Sequence, residues 1–370
     1  MKFGIITHAI HKMKNGQIYA YEPYVREMNL WAIHVGEIRV VAPLSVEPNT
    51  HIDEAYIHQK ITICKIANLN IIGLINKIRT IILVPDILFK IFKTMFWADH
   101  IHLRCPGNIG LLGCFVQLFF PFKQKTVKYA GNWDPKSKQP FSYRLQKWII
   151  SNTVLTKNCN VLVYGDWPNQ SKNIIPFFTA SYSENEILEI PQKTLLKKIK
   201  LIFVGSFSKG KQPLKSIQVL EKLLKGGYEV ELHMYGAGNE FETVKGYVKN
   251  RKLSAHVFLH NNQPKEIVKK AFQESHFLVF ISKSEGWPKV VAEAMFWSCL
   301  PVSTSVSCVP GMLDHGNRGA IVTDDIYEIS SSIEQFINHE EKYLSAIENA
   351  KQWSQQFTLE KFEKEIKKLL

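Results

Sequence analysis

The chain has no C-x-x-C pair and no grouping of Cys with His at metal-ligand spacing. Its six cysteines, Cys64, Cys105, Cys114, Cys159, Cys299 and Cys308, are scattered through mostly apolar stretches. A disulfide framework and a zinc ribbon are thereby excluded, and the thiols read as reduced core residues of an intracellular protein. Long apolar runs are scarce too. The longest, Ile109 to Phe122, is broken by Gln117 and Pro121 and is shorter than the roughly 20 residues that cross a bilayer. Behind Met1-Lys2 the stretch Phe3-Gly4-Ile5-Ile6 is too short for a secretory apolar region, and no small-residue cleavage site follows. Neither a signal peptide nor a membrane span is expected, and the expected location is cytoplasmic. Internal repeats and low-complexity tracts are absent. With 45% apolar and 21% charged residues, disorder, collagen and coiled coil are excluded, and 370 residues suit two domains of ordinary size.

Acidic residues are in deficit: 46 Lys and Arg stand against 33 Asp and Glu, a formal charge of +13. The surplus fits an anionic partner such as a phosphorylated substrate, a nucleic acid or acidic lipid headgroups, or simply a solvated lysine-rich surface. No nucleic acid is expected, because the basic residues are not interleaved with aromatics in any nucleic-acid signature.

The first segment alternates strand-like and helix-like stretches. Lys2–His8, Ile38–Pro43, His100–Leu103, Thr126–Ala130 and Val161–Tyr164 read as short strands bounded by Gly, Pro or Asp. Leu88, Ile91, Phe92, Met95 and Phe96 fall at helical spacing, with Lys90 and Lys93 assigned to the other face. A polar lysine-rich stretch from Ser181 to Lys200 reads as a linker. Beyond it come a strand at Lys200–Gly205, a helix at Pro213–Leu224, a strand at Glu229–Tyr235 and a helix from about Glu240. Strand Val257–His260, helix Pro264–Glu274, strand Phe277–Ile281, a helix opening at Pro288 and strand Val302–Thr304 follow. Strands alternating with helices imply parallel sheets covered on both faces, so the expected architecture is α/β, with two doubly wound domains facing across a cleft. The C-terminal stretch from Ile347 carries Trp353, Phe357, Leu359, Phe362 and Ile366 among lysines, as two amphipathic helical pieces.

The richest chemistry lies in Ser284-Glu285-Gly286-Trp287-Pro288-Lys289-Val290-Val291-Ala292-Glu293-Ala294-Met295. Glu285 follows a buried strand, where open α/β sheets bind ligands, and Pro288 suits the start of a helix. Glu293 sits within an otherwise apolar helix and needs a partner for its carboxylate. Vicinal hydroxyls of a sugar or ribose would provide one. Alternatively Glu285 caps the helix and Glu293 pairs with a lysine.

This string, followed by Pro301-Val302-Ser303-Thr304-Ser305, resembles the E-x(7)-E signature of the retaining GT-B glycosyltransferases, family 4 in particular. The resemblance covers roughly Lys200 to Leu370 and extends to the first domain only in outline. It implies two Rossmann-like domains: an acceptor-binding domain over 1–185, a linker over 186–199, a nucleotide-sugar-binding domain over 200–352, and a final helical segment, 353–370, crossing back to the first domain. Phe203-Val204-Gly205-Ser206-Phe207-Ser208-Lys209-Gly210-Lys211 resembles the family's loop on the donor diphosphate, with Lys211 as its lysine. Ser206 replaces the usual arginine, and Lys209 is the candidate substitute. Glu285 and Lys211 are then the expected catalytic residues. Gly205, Ser206, Lys209, Gly286, Trp287, Pro288, Lys289 and Glu293 are expected at the donor, with Glu293 on the ribose. Tyr235-Gly236-Ala237-Gly238 resembles the family's glycine pair, although helix-start geometry explains it equally well.

In the first domain the resemblance places Gly16, in the loop Thr7 to Gln17, against donor phosphates, with Lys12 and Lys14 adding charge. A mobile basic surface loop is the alternative. Relatives often carry a histidine after the strand that here reads Val127–Asp134. None is present, so Asn132 or Asp134 takes that acceptor-side position, and Trp133 either stacks on a sugar or belongs to the core. The resemblance implies transfer from a nucleotide-diphosphate sugar to a glycan or lipid-linked acceptor, with no cofactor. No D-x-D occurs, so no metal is expected. The abundance of Ile, Lys and Asn suggests a bacterium and surface polysaccharide assembly. The apolar, basic stretch from Ile71 to Phe122, with Lys77, Arg79, Lys90, Lys93 and Arg104, suggests peripheral contact with the inner leaflet. The rival readings are a nucleotide-sugar epimerase on the same architecture and a catalytically degenerate binding protein.

Overall fold

The computed structural model describes residues 1–50, 52–69, 73–191, 193–195 and 198–370, leaving out the side chains of 74–79. Ile71 and the side chains of Lys77 and Arg79 therefore lie outside the described residues. The chain forms two compact units, Met1–Phe178 with Phe362–Leu370, and Thr179–Lys361.

The strands of the first unit are β1 (Lys2–Ile6), β2 (His11–Lys14), β3 (Gln17–Tyr21), β4 (Glu37–Ser45), β5 (Asp53–Ala55), β6 (Ile61–Ile66), β7 (His100–Cys105), β8 (Gln124–Tyr129), β9 (Cys159–Tyr164) and β10 (Ile174–Phe177). Their parallel core runs β10-β9-β8-β7-β1-β4-β6. Chain order therefore reverses between β1 and β7. Helix α1 (Glu22–Ala32) packs on one face through Trp31, which stacks on Phe3. Helices α2 (Leu74–Trp97), α3 (Asn108–Val116) and α4 (Phe141–Ser151) cover the other. Alternate residues of a strand point to opposite faces. Thus Phe3 meets Trp31, while Gly4 lies against Ala98 and Ile6 against Gly113.

Two expectations are corrected here. The stretch Thr7 to Gln17 is not an open loop: β2 and β3 pair antiparallel, with Lys14 opposite Gln17. Asn15 and Gly16, at φ 51° and 79°, form the two-residue turn of a hairpin, a dipeptide suited to positive φ. Within α2, only Leu88, Ile91 and Met95 of the expected apolar face turn inward. Phe92 and Phe96 are exposed, as is Lys93.

The second unit has strands β11 (Ile199–Val204), β12 (Val230–Tyr235), β13 (Val257–Leu259), β14 (Phe277–Phe280), β15 (Leu300–Thr304) and β16 (Ala320–Val322). They form one all-parallel sheet in the order β13-β12-β11-β14-β15-β16, the doubly wound nucleotide-binding order. Its strands are nearly continuous apolar runs because both faces are covered. The helix Pro213–Lys225 starts with a proline, which costs nothing there, and buries Ile217, Leu220 and Leu223 along one stripe.

Within the expected linker 186–199, Lys193 and Leu195 are built into the second unit. Leu195 is buried in the core of this unit. The Lys193 ammonium donates to the carbonyls of Phe272, Ser275, Trp297 and Ser298, at 2.6–3.0 Å. These carbonyls end the helices Lys265–Glu274 and Lys289–Phe296, where acceptors are left over and a cation is favoured. Burial draws the Lys193 pKa down to about 8, which leaves it charged at neutral pH.

Candidate functional site

In an open parallel sheet, ligands bind outside the carboxyl ends of the strands where chain order reverses. In the second unit that place lies between β11 and β14. The loop after β11 carries Gly205, Ser206, Lys209 and Lys211, and the loop after β14 carries Ser282, Glu285 and Gly286. Lys211 Nζ contacts Glu285 Oε1, and the same oxygen accepts from Ser282 Oγ. The Lys211 ammonium also stands 4.9 Å from the Phe280 ring centroid. Lys283 N donates to Gly210 O at 3.0 Å, tying the two loops together.

Each loop is held from the side. Thr304 Oγ1, at the end of β15, accepts from Ser282 N (3.1 Å) and donates to Ser282 O (2.8 Å). Ser307 Oγ donates to Gly286 O at 2.7 Å. On the other flank the backbone after β12 presses on the loop after β11. A Cβ at Gly236 would stand 1.9 Å from Gly205 O, and one at Gly238 2.5 Å from Phe207 O. Both glycines have positive φ, 137° and 153°. Close approach therefore requires the glycine pair, and its consequence is the position of the Lys211 loop.

Of the two lysines considered for the loop, Lys209 is exposed and Lys211 is half-buried on Glu285. Ser206 is exposed, its hydroxyl 3.2 Å from Ser208 Oγ. Pro288 precedes the first helical residue, Lys289. Trp287 packs against Trp353 and Phe357. Glu293 lies further along that helix and accepts from Ser181 Oγ at 2.5 Å. It shares with Lys289, Thr179 and Tyr182 a cavity of about 10 Å³, space for about one water. Burial, followed by the nearby Glu293 carboxylate, raises the Tyr182 pKa. Ser282 and Ser181 carry no motif of their own in the sequence, whereas Thr304 lies in the Pro301–Ser305 stretch that follows the glutamate string.

In the first unit Lys14 and Gly16 are exposed on the hairpin, while Lys12 is engaged with Asp53 (2.8 Å) and Pro48 O (3.0 Å). Asn132 Oδ1 accepts from Asp134 N, and Asp134 Oδ1 from Lys136 N, so both side chains shape their own loop. Trp133 is buried against Tyr129, with its Nε1 donating to Gln170, which places it in the core. At the order reversal of this unit stand His8 after β1 and Arg104 near the end of β7. Arg104 pairs with Glu27 at 3.0 Å, and the His8 ring covers Gly107. Burial, then the Arg104 charge, lowers the His8 pKa. A histidine directly behind the first strand was the available signal for this pair.

The whole chain has the GT-B fold. Anabaena HepE, solved with UDP and glucose, superposes with a TM-score of 0.69 at 13% identity, over 99% of this chain and 98% of that one. Sucrose-phosphate synthase from Thermosynechococcus elongatus gives 0.69 at 13%, over 100% and 98%. The family model described as Glycosyl transferases group 1 matches residues 186–353, within the second unit. An uncharacterized glycosyltransferase of Methanocaldococcus jannaschii is 27% identical over 161 residues, 43% of this chain and 44% of the relative. The N-acetyl-alpha-D-glucosaminyl L-malate synthase of Bacillus anthracis is 25% identical over 153 residues, 41% and 39% respectively. The matched region thus spans less than half the length of either relative.

Proposed function

We propose that the protein is a retaining, metal-independent glycosyltransferase. It moves a sugar from a nucleoside-diphosphate sugar to a glycan or lipid-linked acceptor, in bacterial surface polysaccharide assembly. The observation that carries this reading is the contact of Lys211 with Glu285 at the order reversal between β11 and β14. As the bond from the anomeric carbon to the diphosphate breaks, Lys211 and nearby loop N–H groups neutralise the leaving group, while Glu285 holds donor sugar hydroxyls. The new bond forms on the face the diphosphate leaves, and the acceptor proton passes to the departing phosphate oxygen. Glu293 takes the ribose hydroxyls in place of Ser181, which requires the segment around Ser181 to yield, since the cavity beside it is small.

The test is a thermal-melt panel of UDP, GDP, ADP and CMP, each with EDTA and with Mg²⁺. UDP is the first choice because HepE was solved with it. A ligand at about 100 times its Kd adds about 2.7 kcal/mol, a shift of a few degrees for such a domain. One nucleotide should raise the melt in EDTA, and the matching sugar nucleotide should give a product of unchanged anomeric configuration by NMR. Silence from every nucleotide refutes the transferase reading. An absolute metal requirement refutes metal independence, and an inverted product refutes retention.

A further inference from the structure

Nearly all of the surplus positive charge sits in the first unit. There 24 Lys and Arg stand against 12 Asp and Glu, whereas the second unit has 22 against 21. The first unit is therefore the half that attracts an anion. At the carboxyl edge of its sheet, where open α/β sheets bind ligands, cations gather on the loop after β8 and the first two turns of α4. Lys136, Lys138, Arg144 and Lys147 fall within twelve residues. Among the described residues none of the four is in an ion pair, and the loop's one carboxylate, Asp134, accepts from Lys136 N at 2.8 Å. Lys147 Nζ lies 5.0 Å from the Trp133 ring centroid. Burial draws its pKa down to about 8 against the pull of Asp134, which leaves it charged at neutral pH. Between the lysines and Arg144, Phe141 opens α4 with 71% of its surface exposed.

The loop is braced from within. Tyr129 Oη donates to Gln139 Oε1 at 3.1 Å, Trp133 Nε1 to Gln170 Oε1 at 2.8 Å, and Ala130 N to Cys105 O at 2.6 Å. The N–H groups of Asp134, Lys136 and Ser137 are all used inside the loop, by Asn132 Oδ1, Asp134 Oδ1 and Asp134 O. A compact phosphate is ordinarily cradled by free backbone N–H groups, and these three are occupied. What the loop presents instead is a row of side-chain cations and an uncovered ring. That arrangement fits a chain molecule with single charges at intervals and apolar ring faces between them.

We infer that the loop after β8 and the start of α4 bind a saccharide bearing carboxylates, so that the acceptor is an acidic glycan. This rests on the transferase reading and names its acceptor. Lys136, Lys138 and Arg144 pair with sugar carboxylates, and the negative face of the Phe141 ring receives the C–H face of a sugar. Asn132 and Asp134 act as positioning residues, fixing where the backbone of Lys136 stands.

Titration calorimetry of the full chain with tetragalacturonate, beside uncharged maltotetraose, tests it. The wild type should bind tetragalacturonate, ignore maltotetraose and lose affinity as salt rises. Lys136→Glu with Lys138→Glu should weaken binding about tenfold. Phe141→Ala should weaken it about threefold with the salt dependence unchanged, since no charge is lost. Lys157→Glu with Lys172→Glu makes the same change of net charge at the opposite edge, where β9 and β10 start, and should leave binding as it is. All five side chains are exposed, so melting temperatures should not move. Failure of the wild type to bind tetragalacturonate overturns the inference, as does equal weakening by the two lysine variants, which would reduce it to net charge. Displacement of the sugar by pyrophosphate or a short single-stranded DNA at lower concentration than by tetragalacturonate itself overturns it in favour of phosphate or nucleic acid. A nucleotide shift in the melt panel without tetragalacturonate binding keeps the transferase reading and removes the acidic acceptor. Binding without any nucleotide shift keeps the saccharide site and removes the transferase reading.

Discussion

Lys211 and Glu285, 74 residues apart in sequence, meet across the seam between β11 and β14. Parallel neighbours end at the same edge, so two loops remote in sequence deliver opposite charges to one point. Neither charge is fully solvated, the side chains retaining 24% and 11% exposure. Removing either partner should therefore cost more in function than in fold. Lys211→Ala should lower kcat by about 10²–10³-fold, the loss typical of one preorganised group acting on developing charge. Glu285→Gln, which keeps a hydrogen-bonding oxygen for Ser282, should lower it by a similar factor with the melt within a few degrees. Steady-state kinetics beside thermal melts decide the matter. A fall confined to KM would place both groups in uniform binding rather than in the transition state.

The seam itself was only half legible in sequence. The strands of the second unit are apolar runs with glycine or proline at their ends, and Glu285 and Glu293 belong to one local string, so both could be read directly. Ser282 and Thr304 lock the loop through a contact spanning 22 residues, and Ser181 reaches Glu293 across 112. A serine at such a distance leaves no periodic trace. Lys193 misled for a related reason: a lysine in a polar stretch looks solvated until two helix ends close around it. At the hairpin the information was present, because Asn15-Gly16 between strand-like runs is a strong turn signature. The turn formed by Asn15-Gly16 outweighs the phosphate-loop resemblance of Gly16 alone.

Glu293 and Ser181 yield a paired prediction. If the Glu293 carboxylate takes the ribose, Glu293→Ala should raise the Kd for the nucleoside diphosphate by about tenfold or more, the worth of a hydrogen bond to a charged group. Ser181→Ala frees that carboxylate and should leave the Kd unchanged or lower it. Titration calorimetry with the nucleotide found in the melt panel gives both numbers. Equal binding by wild type and Glu293→Ala would remove the ribose assignment and leave the Ser181 contact as a structural one.

Lys193 should matter for stability alone. Lys193→Met leaves four carbonyls facing an apolar tip, a loss of about 3 kcal/mol or more. The melting temperature of the second unit should fall by several degrees. Lys193→Arg should recover part of it, since the charge is kept while the fork fits poorly between two helix ends. An unchanged melt for Lys193→Met would mean that the ammonium gains nothing over solvent.

Acid should destabilise the first unit more than the second. Burial lowers the pKa of His11 and of His100 to about 4 and that of His102 to about 3, all in the first unit. In the second, burial, followed by the charge of Lys193, holds His276 at about 4. His100 Nε2 and His102 Nδ1 share Thr126 Oγ1, at 3.0 and 2.9 Å, and the Glu27 carboxylate near His102 is paired with Arg104, whose charge opposes a proton there. A histidine whose folded pKa is depressed contributes its full stability above the unfolded value near 6.5. As pH falls below that value the unfolded chain binds protons that the fold refuses, so stability drops until the folded pKa is reached. Each such group contributes a slope of up to about 1.4 kcal/mol per pH unit. Denaturant unfolding from pH 7.5 down to 5 should therefore show a falling midpoint, with tryptophans of the first unit reporting the earlier transition. His102→Gln, which keeps a neutral hydrogen-bonding group toward Thr126, should flatten that fall. A midpoint independent of pH across this window would mean that these histidines take up protons as readily in the fold as in the open chain.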